Sequence, residues 1–177
     1  MDEDLYLKSI TNPVKIALLY RASRDGFTAS AFHARCDGVD NTVTIIKNNL
    51  NYVFGGYTAA KWKSDSSYSA DSSAFIFSLR RNGVSNGHKF MINDTSTAIY
   101  NTAGTGPRFG SYEGNYYCDI AIFNNSNIII GSYADFGSSY NLPSGFSYKQ
   151  NNTRSYLAGN YVSWLTTEIE VFKIYFS

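Results

Sequence analysis

The 177-residue chain has little charge and little cysteine. Charged residues make up 16% of it, and the formal net charge is only +1. This balance gives no electrostatic basis for binding nucleic acid or an anionic membrane, and we expect neither as a partner. Cys36 and Cys118 are the only cysteines, and they form no C-x-x-C pair. We therefore expect two free thiols in a reducing compartment rather than a disulfide.

Long hydrophobic runs are also missing from the sequence. No apolar run approaches the roughly 18 residues that a membrane-spanning helix needs. The N-terminus, MDEDLYLKSI, begins acidic and lacks the apolar core of a secretory signal. A P-loop and a G-x-S-x-G nucleophile elbow are absent as well. The sequence thus predicts a soluble, intracellular, cytoplasmic protein without cofactor or metal, which would reach an organelle membrane only through a protein partner.

Aromatic residues, in contrast, are abundant. They make up 16% of the chain, with 15 Tyr and 12 Phe, and such residues favour strands. Many short alternating runs between turn residues predict a mainly β (α+β) fold, a two-sheet antiparallel β-sandwich with a few short helices. We interpret residues 1–12 as an N-terminal leader, whose Leu5, Leu7 and Ile10 could dock on the domain. Residues 13–177 are interpreted as a single domain.

Turn and capping residues place the individual elements. Thr28 has the chemistry of an N-cap, which predicts a helix over Ala29–Cys36 that ends at Asp37-Gly38. A turn ending at Gly26 precedes this helix. Strands are predicted over 14–20, 42–47, 52–57, 74–79, 89–92, 97–100, 118–123 and 162–176, and a buried apolar run over 128–131. Loops are predicted over 63–73, 80–87, 104–115 and 132–160.

The stretch from Thr42 to Trp62 predicts a central hairpin. β-Branched residues alternate along its first strand, and Asn residues supply the turn. Gly55 and Gly56 remove two side chains in the second strand. This indicates either a close approach of a ligand or a bulge, and we favour the bulge. We expect Gly26, Gly55, Gly56 and Trp62 to have structural roles.

Polar residues that could carry chemistry are few. His33, Cys36, His88 and Cys118 could bind zinc only if all four converged, and their spacing does not indicate it. Glu168 and Glu170 lie two apart on a strand, so they share a face, as acid/base pairs do. Pairing with a buried Arg is the interpretation that we favour for them. His33, Asp37, Glu168 and Glu170 are therefore candidates for a functional or a structural role, and none is assigned to catalysis.

Two loop features suggest binding. The segment Gly104–Gly110 resembles a nucleotide-binding loop, but its glycine spacing is wrong and Pro107 removes an amide, so we interpret it as a surface loop. Tyrosines in the predicted loops could form a binding surface for sugar or protein. These are Tyr112, Tyr116, Tyr117, Tyr133 and Tyr140.

Several segments in register resemble the TLDc domain family. They cover about residues 10–176 in the family's order. They are LLYRASRDGF from Leu18, FHARCDG from Phe32, the hairpin Thr42–Trp62, SAFIFSL from Ser73, GPRFG from Gly106 with Asp119-Ile120, LAG from Leu157, and EIEVF from Glu168. Each segment is weak alone, whereas six or more in order are specific. The chain is identified on this basis as a member of the TLDc family.

The resemblance implies both a fold and a function. The family's fold is a two-sheet β-sandwich with short helices. Its characterised members are implicated in oxidative-stress resistance and in binding and regulating the vacuolar proton-pumping ATPase (V-ATPase), as non-enzymatic interaction modules. The resemblance therefore implies a protein partner, with V-ATPase subunits suspected. Two alternatives remain open: a carbohydrate-binding, lectin-like sandwich, and a weak thiol- or carboxylate-dependent enzyme.

Overall fold

The computed structural model describes residues 13–111 and 117–176, so the predicted leader lies outside the described residues. The strands are β1 (Pro13–Arg21), β2 (Thr42–Asn48), β3 (Val53–Thr58), β4 (Ser67–Ser69), β5 (Phe75–Arg81), β6 (Val84–Met91), β7 (Ile99–Asn101), β8 (Thr105–Phe109), β9 (Ile120–Phe123) and β10 (Thr166–Phe176). The helices are α1 (Ala22–Asp25), α2 (Ala29–Cys36) and α3 (Asn151–Arg154), with a 3₁₀ turn at Thr95–Thr97.

These strands form two antiparallel sheets. Within the described residues, the first sheet has the order β1-β10-β2-β3-β5-β6 and the second the order β4-β7-β8-β9. Apolar side chains of both sheets meet in one core, for example Phe54 and Ile76 of the first with Phe109 and Ile120 of the second. The predicted mainly β sandwich with few short helices is confirmed.

Local chemistry explains the helix and the central hairpin. The Thr28 hydroxyl accepts a hydrogen bond from the Ala31 amide at 3.2 Å and caps α2. Gly38 closes the helix end at φ +78°. In the turn between β2 and β3, the Asn48 side chain accepts from the Leu50 and Tyr52 amides at 3.1 and 3.0 Å. Both predicted elements therefore form within a residue or two of their expected bounds.

The C-terminal strand β10 lies inside the first sheet, between β1 and β2, as its pattern predicted. Ile169 and Val171 enter the core between the sheets. Phe172 and Ile174 belong to a second apolar cluster with residues of β2, β3 and β5. Because β10 has apolar side chains on both faces, each face needs a cover.

Three predicted loops contain regular structure. The loop over 63–73 holds the short strand β4, which pairs with β7. The predicted turn over 80–87 shrinks to Asn82-Gly83, with φ of +47° and +79°, because two residues at positive φ suffice to join β5 to β6. The loop over 132–160 contains α3 and two isolated bridges, which join Tyr133 to Ala121 and Tyr140 to Ile92.

Two expectations about burial are wrong. Gly104–Gly110 is no surface loop, since Thr105–Phe109 forms the fully buried strand β8 between β7 and β9. Pro107 is tolerated there because the pairing of β8 with β9 is irregular between Thr105 and Arg108. The run over 128–131, which was expected to be buried, is instead exposed. Its three isoleucines face solvent, with relative exposures of 73%, 51% and 61% for Ile128, Ile129 and Ile130.

Candidate functional site

His33 and Asp37 form a compact polar cluster at the end of α2. The His33 Nδ1 atom lies 2.7 Å from Asp37 Oδ1, and the Ser64 hydroxyl donates to Asp37 Oδ2 at 2.6 Å. The His33 Nε2 atom faces the carbonyl oxygens of Thr102 and Thr105, both at 2.9 Å. Carboxylate and carbonyl oxygens only accept, so both ring nitrogens of His33 face hydrogen-bond acceptors.

This cluster contains Ser, His and Asp, but it lacks the geometry of a nucleophilic triad. In a triad the serine hydroxyl bonds to the histidine, which takes its proton. Here Ser64 donates to the carboxylate, and the far nitrogen of His33 is directed at backbone carbonyls. The arrangement instead ties α2 to the segment that enters β8.

Glu168 and Glu170 hold the end of β1 and the first turn of α1. Glu170 Oε1 accepts from Arg21 Nε at 2.7 Å, across the β1–β10 pair. Glu168 accepts from the Ser23 amide at 3.0 Å and from the Ser23 hydroxyl. Both carboxylates thus join the C-terminal strand β10 to the junction of β1 and α1. Arg21, however, is half exposed rather than buried, so that part of the expected pairing is wrong.

The two cysteines are free and buried. Burial raises the pKa of Cys118 to about 12 and raises that of Cys36 further, so both thiols stay protonated at neutral pH. Thiolate is the reactive form of cysteine. The structure therefore gives neither residue the exposed, electropositive setting of a redox-active thiol.

Only one of the candidate tyrosines is shown at the surface. Tyr117 is 46% exposed, whereas Tyr133 and Tyr140 are buried. Tyr140 donates from its hydroxyl to the Ala98 carbonyl at 2.7 Å in the core. The expected exposure of Tyr133 and Tyr140 is wrong. The backbone of each residue forms a β-bridge to the sandwich, Tyr133 with Ala121 and Tyr140 with Ile92. Tyr112 and Tyr116 lie outside the described residues.

The glycine pair of β3 makes room for neighbouring groups. The register of β2 with β3 runs without a shift through Gly55 and Gly56, so the bulge expected at these glycines is absent from this pair. A Cβ atom on Gly56 would come within 2.6 Å of the Phe109 ring, and one on Gly55 within 1.9 Å of the Thr44 carbonyl oxygen. Both positions therefore serve packing.

Trp62, just beyond the hairpin, joins α2 to the second sheet. Its ring packs edge-to-face against Phe32 and Phe109, with centroids 5.3 and 5.6 Å apart. Its indole nitrogen donates to the Thr42 hydroxyl at 2.9 Å. The backbones of Asp37 and Trp62 also form a parallel bridge. Trp62 is thus fixed from three sides in the core.

Sequence reasoning missed the buried carboxylate of Asp119, the residue just before β9. One oxygen accepts from the Gly137 amide at 2.6 Å and the Ser138 amide at 3.1 Å. The other accepts from the Ser138 hydroxyl at 2.6 Å and the Ser139 amide at 2.9 Å. Asp119 thus fixes the segment 137–139 in place. The only sequence signal was its place in one of the TLDc-like segments.

The raised pKa of Asp119 is expected to make the stability of the protein depend on pH. Burial raises the pKa of its carboxyl to about 6, against the opposing effect of its hydrogen-bond donors. As pH rises, the unfolded chain ionises first, near its ordinary value of 3.8. The stability contribution is therefore complete below about pH 4 and is lost as pH rises through 6, by on the order of 3 kcal/mol.

Urea unfolding of the native protein and of Asp119→Asn between pH 4 and 7 isolates this effect, because asparagine does not titrate. We expect the stability of the native protein to fall relative to that of the variant over this range. Parallel pH profiles would show that folding does not raise the pKa of the Asp119 carboxyl.

The most exposed apolar feature of the described chain is the tip that Ile128, Ile129 and Ile130 form, here called the isoleucine loop. Single exposed apolar residues are ordinary, whereas three in sequence at one tip are typical of an interaction site. The loop follows β9 and returns to Tyr133. Its base is closed by paired hydrogen bonds between the backbones of Ala121 and Tyr133, at 2.9 and 3.0 Å.

The backbone beneath the isoleucine loop is held on several sides. The Asn125 amide donates to the Phe27 carbonyl at 3.0 Å, and the Asn124 side chain accepts from the Ala29 amide at 2.9 Å. The hydroxyls of Ser126 and Thr166 lie 2.6 Å apart. The loop is thus anchored to both the start of α2 and the start of β10. An anchored tip loses little conformational entropy on binding.

The described residues offer neither a metal-binding cluster nor a membrane-spanning helix. In residues 13–111 and 117–176, no group of three or more His, Cys, Asp and Glu is placed to hold a metal ion. Over the same part of the chain, no helix has the length and apolar character needed to cross a membrane.

Together, the two antiparallel sheets and the few short helices define a mainly β sandwich. The family model of the TLDc domain matches residues 4–175. The chain therefore belongs to the TLDc domain family, whose domain is generally a non-enzymatic interaction module. A search of curated proteins found no match.

Proposed function

We propose that this protein is a protein-interaction module of the TLDc type that binds the V-ATPase and regulates it. Family membership over residues 4–175 supports an interaction module in general. The exposed isoleucine loop is the observation that carries the proposal for this chain. A preformed apolar tip suits insertion into an apolar groove on a protein partner.

The chemistry of the other candidate residues is consistent with binding rather than turnover. The carboxylates of Glu168 and Glu170 bond to the backbone or side chains of neighbouring residues, and the thiols are buried. A role in oxidative-stress resistance would then act through the partner rather than through thiol chemistry of this chain. The proposal places the protein in the cytoplasm, where the catalytic sector of the pump is exposed.

Co-migration with the purified catalytic (V1) sector of the pump tests the proposal directly. We expect the protein and V1 to elute together in size-exclusion chromatography at micromolar concentration. Separate elution at that concentration would overturn the V-ATPase proposal.

The isoleucine loop gives a sharper test. We expect Ile128→Ser/Ile129→Ser/Ile130→Ser to weaken V1 binding at least about 30-fold, because removing three buried apolar side chains from an interface loses several kcal/mol. The melting temperature should change little, since these side chains face solvent in the free protein. Titration by biolayer interferometry measures the affinity.

Val84→Ser is the matched control for this variant. Val84 is equally apolar and 70% exposed, but it lies at the β5–β6 hairpin. Binding should survive this change. Equal affinity of the triple variant and the native protein would place the contact elsewhere on the domain.

A further inference from the structure

The strand β6 is the last strand at one side of the first sheet. Within the described part of the chain, no strand pairs with the side of β6 that faces away from β5. Six of its eight residues are exposed to solvent. A strand in this position offers backbone N–H and C=O groups to which a further strand can bond.

Two hydrogen bonds at the end of β6 show which of its backbone groups face outward. The Ile92 amide donates to the Ala74 carbonyl, on the side of β5, at 3.1 Å. The Met91 carbonyl faces the other way and accepts from the Asn141 amide at 3.0 Å. Backbone groups alternate in direction along an antiparallel strand. The odd-numbered residues of β6 therefore direct their backbone groups away from β5.

Gly87 and Lys89 are two of these odd-numbered residues, and their outward backbone groups are here called the β6 edge. Both residues are exposed. A Cβ atom on Gly87 would meet nothing within 4 Å, so there is open space beside this part of the edge. The two residues together present two donors and two acceptors, which is enough to align a short extended peptide.

The charge beside the β6 edge is of one sign. The hairpin of β5 and β6 carries Arg80, Arg81 and Lys89 and no Asp or Glu, although the net charge of the whole chain is only +1. The Lys89 ammonium lies 3.9 Å from the centre of the Phe75 ring, on the outward face of the sheet. The Arg81 guanidinium lies 4.0 Å from the centre of the Tyr156 ring, on the core face. Cations thus flank the edge on both faces.

We propose that the β6 edge binds an extended acidic segment of a protein partner, which adds to the first sheet as a further strand. The backbone of this segment bonds to Gly87 and Lys89. Residues of the added strand that lie directly opposite these two place their side chains on the same face as that of Lys89. The segment therefore carries Asp or Glu at alternate positions, where the carboxylates meet the Lys89 ammonium.

Charge disfavours a second copy of this chain as the occupant. Pairing of two β6 strands edge to edge would bring together three cations from each hairpin and no carboxylate. A lysine on an edge strand is a common device against such self-pairing. The same charge attracts an acidic strand, so it selects the partner as well as excluding the second copy.

This second surface goes beyond the proposed binding of the V-ATPase through the isoleucine loop. The isoleucine loop follows β9 of the second sheet, whereas β6 belongs to the first. Peptide binding and V1 binding are measured in separate assays, so one can fail while the other succeeds.

Synthetic peptides test the proposal on the full chain. The probe is an acetylated and amidated hexapeptide of alternating Glu and Val, and the reference peptide has Lys in place of Glu. In NMR titrations at low ionic strength, we expect the acidic peptide to bind at least about 10-fold more tightly than the basic one, because cross-strand charges attract in the first and repel in the second. The amide signals of Gly87 and Lys89 should shift on binding.

Alternate N-methylation of the acidic peptide tests the pairing of the backbones. One version is methylated on the amides of its Glu residues, and the other on those of its Val residues. A strand bonds to one neighbour through every second residue. One version should therefore lose binding and the other should keep it. Equal behaviour of the two versions would contradict the addition of a strand.

Two substitutions at one position complement the peptides. Gly87→Pro removes the outward N–H group, and Gly87→Ala keeps it. Proline is tolerated on an edge strand where the N–H group faces solvent, so neither change breaks a bond between β5 and β6. We expect Gly87→Pro to weaken binding of the acidic peptide at least about 10-fold, and Gly87→Ala to leave it within about 2-fold of the native value.

Lys89→Glu tests the charge without changing the backbone. It should lower the preference for the acidic over the basic peptide at least about 5-fold, because it places a carboxylate opposite the carboxylates of the probe. This variant decides the matter also if Gly87→Pro does not fold.

Three results would overturn the inference. The first is the absence of binding of the acidic peptide to the native protein at millimolar concentration. The second is equal affinity for the acidic and the basic peptide. The third is self-association of the native protein, seen in sedimentation equilibrium, that Gly87→Pro abolishes and Gly87→Ala does not, because it would show that a second copy occupies the β6 edge.

Discussion

Gly55→Ala is expected to destabilise the protein by about 4 kcal/mol or more, a large fraction of the stability of a domain of this size. The added methyl group would lie 1.9 Å from the Thr44 carbonyl oxygen and 2.9 Å from the Phe77 ring. The Phe77 ring could turn aside, but the carbonyl belongs to β2, which is paired on both sides. The smallest possible side chain therefore forces two central strands apart.

Gly56→Val should be less severe, at about 3 kcal/mol. Its Cβ atom would meet the Phe109 ring at 2.6 Å, and a ring can shift where a hydrogen-bonded strand cannot. A larger loss of stability in Gly55→Ala than in Gly56→Val is a specific test of this packing. It also separates packing from a ligand site. A Gly56→Val protein with an unchanged melting temperature and lost partner binding would show that this position serves recognition.

Chemical denaturation measures both effects, with Gly87→Ala as the control. Gly87 lies in β6, and a Cβ there would meet nothing within 4 Å. We expect a change within about 0.5 kcal/mol for this variant. Similar losses at positions 55 and 87 would contradict the close approach of β2 and β3 at Gly55.

Asp119→Ala is the second large effect, with an expected loss of about 3–5 kcal/mol. The substitution leaves three backbone amides and one hydroxyl without their acceptor. These donors lie in the partly buried segment 137–139, whose neighbour Phe136 is fully buried in the core between the sheets. Water would have to enter, or the segment would have to leave its place.

Ser138→Ala is the matched control for this prediction. It deletes the hydroxyl that donates to Asp119 but keeps the carboxylate and all three backbone donors. A loss of about 1 kcal/mol is expected, as for a single hydrogen bond. If both variants lose the same stability in urea titrations, Asp119 does not act as the common acceptor of the segment.

The sequence alone indicated the role of Gly55 more clearly than that of Asp119. Gly55 stood out as half of a glycine pair in a predicted strand, although the bulge that we favoured there was wrong. The sequence near Asp119 gave no sign of its hydrogen-bond donors. These donors lie 18 to 20 residues further along the chain, in a stretch that we expected to be a loop. A contact between distant segments leaves no pattern in the local sequence.

The exposed isoleucine loop shows a similar limit. A run of isoleucines between turn residues has the composition of a buried strand, and composition alone predicts burial. The tertiary structure places the run beyond the bridge between Ala121 and Tyr133, at a tip. Conversely, the glycine-rich segment around Pro107 has the composition of a surface loop, yet Thr105–Phe109 pairs with strands on either side.

By itself, the sequence determined the family, the mainly β class, helix α2 with its Thr28 cap, and the hairpin of β2 and β3. Each of these depends on residues close together in the chain, where alternation, turn chemistry and capping act. Only the tertiary structure decided which apolar runs are buried, which segment Asp119 holds, and that β6 is the last strand at its side of the first sheet in the described part of the chain. These features depend on which distant strands become neighbours, and burial follows from that pairing rather than from the local hydrophobicity of a run.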